Sequence, residues 1–363
     1  MPSRRGIEIT AALALVAPGT ALRDGLDRVV KAKRGALVVI GDDDDVLAIC
    51  SGGFLMDAEF TPQRLAELCK MDSAIILTAD SGRIARANVH LVPDPSVHTT
   101  ETGTRHRTAE RAARSLSVPV ISVSEDMGVI TVYVGDAKHT LEEIPRLLVR
   151  GNQALQTLER YKVRLDDAAT SLTALEIEDL VTLRDVAAML QRSETVRRVA
   201  EQIQTNIVEL GAEAHLIRLQ MDELLEDVDD DRELVLLDYL PDDRDERLES
   251  ALATLAELDT DELLDLRAVA ATLLPGSHAE LDLDAIDLDL SLQPRGYRLL
   301  DKVPRVSEEV VDALVARFGT LQKLTRATTL DLASVEGVDP ALAHAVKEGL
   351  ARLAETTLLD RFH

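Results

Sequence analysis

Short apolar runs between turn residues fill the first third of the chain, and long stretches of helical period follow. Ala36-Leu37-Val38-Val39-Ile40 is a continuous, largely β-branched run closed by Gly41, the pattern of a short buried strand. Residues 46–50 read as a second strand ending at Ser51-Gly52-Gly53, with Asp42 to Asp45 as a solvated turn between the two. Thr61-Pro62 opens a helix, threonine as the cap and proline at the first helical position. Leu65, Leu68 and Cys69 form its apolar face, and it ends near Met71-Asp72. Residues 74–78 and 85–91 read as strands, 100–115 as a helix, and 119–124 and 129–134 as closing strands.

From residue 140 to about 272 the period changes. Leu141, Ile144, Leu147 and Leu148 recur at helical spacing, as do Leu172, Leu175, Ile177 and Leu180, then Val196, Val199, Ile203, Ile207 and Leu210. Glycine and proline are nearly absent there, so a helical bundle or spine is expected. Residues 281–290 (LDLDAIDLDL) alternate apolar and acidic side chains, a strand period read as an exposed connector. The expected organisation is therefore an α/β domain over 1–139, with a mixed sheet flanked by helices, an all-α spine over 140–292 and a small helical domain over 293–363.

The start of the chain needs separate treatment. Arg4 and Arg5 precede the apolar residues 11–18, which loosely imitates a secretory leader. Glu8 interrupts it, the run is short, and no small-residue cleavage site follows; an amphipathic helix packed on the next domain is expected. Nowhere do 18 apolar residues run uninterrupted, so no membrane span is expected.

Charge refines this division. The formal net charge is −25, but residues 1–136 carry 15 basic and 18 acidic side chains, residues 137–292 carry 15 and 37, and residues 293–363 carry 10 and 10. The acid sits in the spine, where it favours solubility and repels nucleic acid, and leaves the first domain free for phosphate chemistry. Aromatics make up 2 % and tryptophan is absent, so the cores are built from Leu, Val, Ile and Ala. Cys50 and Cys69, without a CxxC or a Cys/His cluster, read as reduced thiols, which fits the cytoplasm.

Two clusters carry candidate chemistry. The first is Lys70-Met71-Asp72-Ser73-Ala74 at a helix-to-strand junction. The second is Glu101-Thr102-Gly103-Thr104-Arg105-His106-Arg107-Thr108 at a helix start. Gly103 allows close backbone approach, the helix start offers unpaired N–H groups, the threonines offer hydroxyls, and Arg105 and Arg107 offer forks for phosphate oxygens. A charged helix start with Glu–Arg pairs on its face is the plainer alternative. Asp72 is suited to a divalent cation or to orienting a hydroxyl, but a lone Asp at a turn is ordinarily just a cap, and its weight comes only from its neighbours. No G-x-x-x-x-G-K-[ST] occurs, which excludes a P-loop nucleotidase.

These clusters resemble the Asp-Gly-Ala and Arg-His-Arg motifs of diadenylate cyclases. Ser51-Gly52-Gly53-Phe54, Ala87-Asn88-Val89-His90-Leu91 and Pro93-Asp94 also read as sequence of that family, in its order. With the spine and terminal domain behind them, nearly the whole chain is similar to the DisA family. The resemblance implies that two ATP are condensed into cyclic di-AMP. It implies catalytic roles for Asp72, Arg105, His106 and Arg107. It implies ATP contacts from Ser73, Ala74, Leu91, Gly103, Thr104, Arg105, His106, Arg107, Thr108 and Ser124, and Mg²⁺ or Mn²⁺ on Asp72. It further implies a homo-octamer in which two cyclase domains face each other.

Two departures stand out. Ser73 replaces the motif's glycine, which strains the backbone if that position needs positive φ and merely borders the ligand if it does not. The stretch Ser124-Glu125-Asp126 lacks an arginine that some relatives have. Ser73 motivates an alternative, a catalytically impaired nucleotide-binding protein that scans DNA. At the other end, residues 332–343 are similar to a helix-hairpin-helix, whose Gly-hydrophobic-Gly turn meets a DNA phosphate through backbone N–H groups. Gly337, Val338 and Asp339 occupy that turn, and residues 306–324, with Phe318-Gly319, form an earlier half-repeat. The resemblance implies branched or damaged DNA as a partner; Asp339 in place of the second glycine implies that binding is weak.

Overall fold

The computed structural model describes residues 4–226, 228–240, 244–274 and 282–360. They form two compact units, Met1–Leu155 with Gln202–Gln220, and Gln156–Glu201 with Met221–His363.

The first unit is built on a mixed sheet. Its helices are α1 (Arg4–Leu15), α2 (Ala21–Lys31), α3 (Asp44–Ala48), α4 (Pro62–Leu68) and α5 (Thr104–Leu116). Its strands are β1 (Ala36–Ile40), β2 (Cys50–Ser51), β3 (Phe54–Glu59), β4 (Ala74–Leu77), β5 (Arg83–Leu91), β6 (Val120–Val123), β7 (Ile130–Val134) and β8 (Ala137–Thr140). The strand order is β2-β5-β4-β1-β6-β7-β8, with β3 also paired to β5. β1 and β4 are parallel, while β1–β6 and the other pairs are antiparallel.

Both faces of β1 are covered, which is why its run is continuously apolar. Val38 and Ile40 join a core with Leu13 of α1, Leu26 of α2 and Leu65 of α4. Leu37 and Val39 point the other way, to a core with Ala109, Ala112 and Ala113 of α5. Those three alanines present no bulk, so α5 lies close on the sheet and its N-terminus is held near the strand ends.

Three sequence expectations are corrected within this unit. Residues 46–50 are not a strand: α3 occupies most of them, because Asp43 caps it by accepting the Val46 N–H and Asp44 and Asp45 sit favourably in its first turn. The acidic run is a helix start rather than a free turn. The helix expected at 100–115 begins at Thr104, because the preceding loop is pinned to the buried Glu110, which accepts from Thr99 Oγ1 and the Thr100 N–H. β3 and β8 were not legible; β3 is mostly exposed and shows no apolar alternation to signal it.

Helices α6 (Ile144–Glu178), α7 (Leu183–Leu210) and α8 (His215–Leu225) follow, each contributing residues to both units. Within the first unit, buried Glu209 of α7 accepts from His139 Nε2 of β8 at 2.9 Å and from the Glu142 N–H at 3.0 Å.

The second unit is helical: besides its parts of α6, α7 and α8 it holds α9 (Val228–Tyr239), α10 (Arg244–Glu257), α11 (Thr260–Leu264), α12 (Leu266–Ala271), α13 (Tyr297–Asp301), α14 (Glu308–Phe318), α15 (Leu321–Arg326), α16 (Thr329–Leu332) and α17 (Pro340–Asp360). The terminal helices share their core with the spine: Tyr297, Leu314 and Val346 cluster with Ile177, Leu234 and Leu237. Asp238 of α9 accepts the Gly296, Tyr297 and Arg298 N–H groups, so one buried carboxylate caps α13. Arg298, fully buried, donates to Glu176 of α6 at 2.7 Å.

The alternating segment 281–290, read from the sequence as an exposed connector despite its strand period, follows α12 in the chain. Leu281 lies outside the described residues, and the rest forms no strand. Asp282 and Asp287 bond the N–H groups of Asp284 and Asp289, and such local side-chain turns displace a sheet ladder. A short 3₁₀ turn, Leu283–Ala285, results.

Candidate functional site

A cavity of about 460 Å³ opens where the first residues of β1 and β4 meet the N-terminus of α5. It falls within the usual range for small-molecule sites. Leu37, Ala74, Val89 and Leu91 supply an apolar floor, and Asp72, Ser73, Gly103, Thr104, Arg105, His106 and Thr108 supply polar groups. Ser124, Glu125 and Asp126, in the turn after β6, close one side. Ten of the eleven nucleotide-site expectations thus meet at one cavity, and Arg107 does not line it. Leu37, Val89, His90, Glu125 and Asp126 line it without having been expected to.

The start of α5 is open. Gly103 caps it with no side-chain hydrogen bond, so the first backbone N–H groups keep their capacity for an anion. The Thr108 hydroxyl donates back to the Thr104 carbonyl at 2.9 Å, which leaves its oxygen as an acceptor. Arg105 Nη2 lies 2.5 Å from Asp72 Oδ1, across 33 residues of sequence. Asp72 remains 86 % exposed in that pair, so this carboxylate is held by one cation and still open to the cavity. Arg105 reaches it by crossing over Gly35, where a Cβ would sit 2.0 Å from Nη1.

The backbone question at Ser73 has an answer. Positive φ among non-glycine residues occurs at Asn88, Asp57 and a few others, and Ser73 is not one of them. Serine therefore adds no left-handed strain. Asn88, at φ +55 in β5, accompanies the register shift between β4 and β5 that shapes this edge.

Behind the cavity runs a polar chain that joins His106 and Glu101 of the second cluster to Tyr133 and Lys138, which no motif signalled. His106 Nδ1 lies 3.0 Å from the Tyr133 hydroxyl, which donates to Glu101 Oε1 at 2.8 Å. Lys138 is paired with the same carboxylate. Burial lowers the pKa of His106, Glu101 opposes that, and Lys138 and Arg105 add to it. Burial works against ionised Glu101, but Lys138 and Tyr133 outweigh it and hold its pKa low. Tyr133 is 1 % exposed, and burial with Glu101 beside it raises its pKa, so the phenol keeps its proton. Nearby Cys69 is pushed up to about 12 by burial, an inert thiol.

The donor set fits a divalent cation only if the ligand completes it. Among the described residues no three His, Cys, Asp or Glu converge as a metal site. One exposed carboxylate at Asp72, with Glu125 and Asp126 on the same cavity, matches the hard, oxygen-poor protein share typical of Mg²⁺ bound through phosphates.

In the terminal segment, Gly337 has φ +82 and is exposed. The Val338 N–H is taken by the Val335 carbonyl and its side chain is core, while Asp339 accepts the Leu342 N–H as the cap of α17. Among the described residues no helix is long and apolar enough to cross a membrane.

Comparison with known proteins agrees with this architecture. Residues 23–138 match the family described as DisA bacterial checkpoint controller nucleotide-binding, and residues 141–280 match the DisA bacterial checkpoint controller linker region. The chain is 50 % identical to the DNA integrity scanning protein DisA of Streptomyces coelicolor over 97 % of its own length and 93 % of the relative's. It is 50 % identical to that of Acidothermus cellulolyticus, over 99 % and 97 % respectively. The DisA of Kineococcus radiotolerans is 49 % identical over the full length of both chains.

Proposed function

The chain belongs to the DisA family, a nucleotide-binding domain followed by its linker, and from that premise we propose that it condenses two ATP into cyclic di-AMP and two pyrophosphates. The observation that carries this reading is the convergence of Asp72, Arg105 and the open start of α5 on one cavity. The α5 N–H groups and Arg105 hold the phosphates, and the apolar floor takes the adenosine. Asp72 would hold Mg²⁺ or Mn²⁺, which would supply charge neutralisation at the reacting phosphorus. Each 3′-hydroxyl attacks the α-phosphate of the opposite ATP, a P–O bond forms as the hydroxyl proton is lost to solvent, and the bond to pyrophosphate breaks. Rate enhancement then comes from positioning and from fixed positive charge around the phosphates. One cavity holds one nucleotide, so a second copy must face it, and a homo-octamer in the cytoplasm is the assembly proposed.

The reading as an impaired enzyme rested on Ser73, whose unstrained backbone removes its main support. Weak binding of branched or damaged DNA at the Gly337-Val338-Asp339 turn is proposed beside the cyclase. The exposed Gly337 supports it, and the acidic Asp339 and the occupied Val338 N–H set its weakness. Incubation of the full chain with ATP and Mn²⁺, followed by chromatography for cyclic di-AMP, tests the cyclase. A soluble, folded protein that neither binds ATP nor forms the cyclic product would sink it.

A further inference from the structure

The chain from Lys138 through Glu101 and Tyr133 to His106 decides which nitrogen of the imidazole carries a proton. Glu101 is ionised and offers only lone pairs, so the Tyr133 proton lies on the bond to it, and the phenol oxygen faces His106 Nδ1 as an acceptor. Nδ1 therefore donates. Nε2 is then the remaining ring nitrogen, and it is buried without a protein partner although the ring lines the cavity. A buried polar atom left unpaired is costly, and at a cavity wall it is an atom kept for a ligand.

In the neutral ring Nε2 is an acceptor, and a phosphate oxygen is an acceptor too. The two repel unless a proton joins them. We propose that Glu101 and Tyr133 are positioning residues that hold Nδ1–H and allow His106 to take a second proton at Nε2 when a triphosphate enters, so that nucleotide binding carries proton uptake. This rests on the nucleotide reading of the cavity.

The groups facing the ring explain why the proton waits for the ligand. Arg105, from α5, and Lys138, from β8, oppose a cationic ring, and burial opposes it further. Glu101, from the loop before α5, favours it, and Tyr133 of β7 passes that preference on through two hydrogen bonds. Arg105 is itself partly neutralised by Asp72. An arriving polyphosphate adds several negative charges near the ring and reverses the balance. The proton comes from solvent, settles on Nε2 and forms an Nε2–H···O–P bond, while Nδ1–H stays on Tyr133.

The test is calorimetry of the full chain with Mg²⁺ and an ATP analogue bridged by carbon between the α- and β-phosphates. Titrations near pH 7 in two buffers of different ionisation enthalpy give the protons taken up per site. The wild type is expected to take up a substantial fraction of a proton, His106→Gln none, and Glu101→Gln and Tyr133→Phe clearly less than the wild type. Tyr133→Phe keeps the buried ring; if it fails to fold, Glu101→Gln with the wild type alone decides. Wild-type affinity should then strengthen as pH falls from 8 to 6.5, with one linked proton setting a limit of about tenfold per pH unit, and Glu101→Gln should flatten that slope. Uptake that persists in His106→Gln, or tight wild-type binding with no uptake, overturns the proposal. Absence of any binding by the folded wild type instead overturns the nucleotide reading beneath it.

Discussion

Two ion pairs, one in each unit, differ in how far the protein itself satisfies their polar groups. Arg105–Asp72 and Arg298–Glu176 have similar lengths, 2.5 and 2.7 Å. The first stands open: Asp72 is 86 % exposed, and the neighbouring His106 Nε2 has no partner. The second is closed on all sides but one. Glu176 also accepts from Tyr239 at 2.8 Å, Arg298 reaches the Ala169 carbonyl and Thr173 Oγ1, and Asp238 beside them takes three backbone N–H groups. Around Arg298, Nε alone is left over. Burial raises the pKa of Glu176 and Asp238, and Arg298 counters it in both. Saturated donors and acceptors fix one arrangement of helices, whereas unsaturated ones remain to be completed by something else.

The sharpest break between the two sites comes from cutting each pair. Arg298→Met strands two buried carboxyls and is expected to lower unfolding free energy by about 3–5 kcal/mol, read by denaturant or thermal unfolding. Joint replacement with Glu176→Leu should recover a large part of it, because the uncompensated charge is gone. A loss under about 1 kcal/mol for Arg298→Met would mean that the network is not structural.

Cutting the open pair should do the opposite. Asp72→Asn keeps the shape of the side chain but loses its charge. Cyclic di-AMP formation is expected to fall by about 10²-fold or more, in the range seen when one electrostatic group is removed from an active site. The melting temperature should stay within experimental error, as for other exposed pairs. A fall in stability comparable to that of Arg298→Met would erase the distinction.

How much of this was legible beforehand follows from where the residues lie in the chain. Thr104, Arg105, His106 and Thr108 sit on one turn and a half of α5, so adjacency in sequence became adjacency in space. The spine helices declared themselves by period because each buries one stripe. Tyr133 and Gly35 gave no such sign. Tyr133 lies 27 residues from His106, in a strand whose five residues are all buried, and nothing local distinguishes its hydroxyl from a core ring. Gly35 reads as the end of a turn, and only the path of Arg105 shows why a side chain is unwelcome there. Residues 46–50 misled because the Asp43 side chain bonded the Val46 N–H and overrode the apolar pattern; the same kind of aspartate bond keeps 282–290 from becoming the strand its period suggests.

Gly35 allows a gentler version of the same comparison. Its φ is not positive, so Gly35→Ala adds no backbone strain and acts through the Arg105 guanidinium, whose Nη1 must leave the space 2.0 Å from the new Cβ. The expected result is a rise in KM for ATP of about tenfold, near 1.4 kcal/mol of lost phosphate contact. Stability should change by less than about 0.5 kcal/mol. Unchanged KM would show that Arg105 holds Asp72 without serving the ligand.

The smallest effect tests a group that stands between the two kinds. Glu110 is 5 % exposed and closed like Glu176, yet what it pins is the loop leading into the open start of α5. Burial opposes its ionised form, but the Thr99 hydroxyl, the Thr100 N–H and Arg114 outweigh that and lower its pKa from 4.5. A carboxylate with a depressed folded-state pKa lends stability that is fully present above about pH 4.5 and is lost as the pH falls below it. Glu110→Gln keeps an acceptor for Thr99 and Thr100 but surrenders the charge facing Arg114, 3.0 Å away. It is expected to lower stability by about 1 kcal/mol at pH 7. Because a protonated glutamate resembles glutamine, the two stability curves should converge as pH drops below 4.5. Curves that stay parallel down to pH 3 would place the contribution of Glu110 in packing rather than charge, and would move it wholly to the structural side of the comparison.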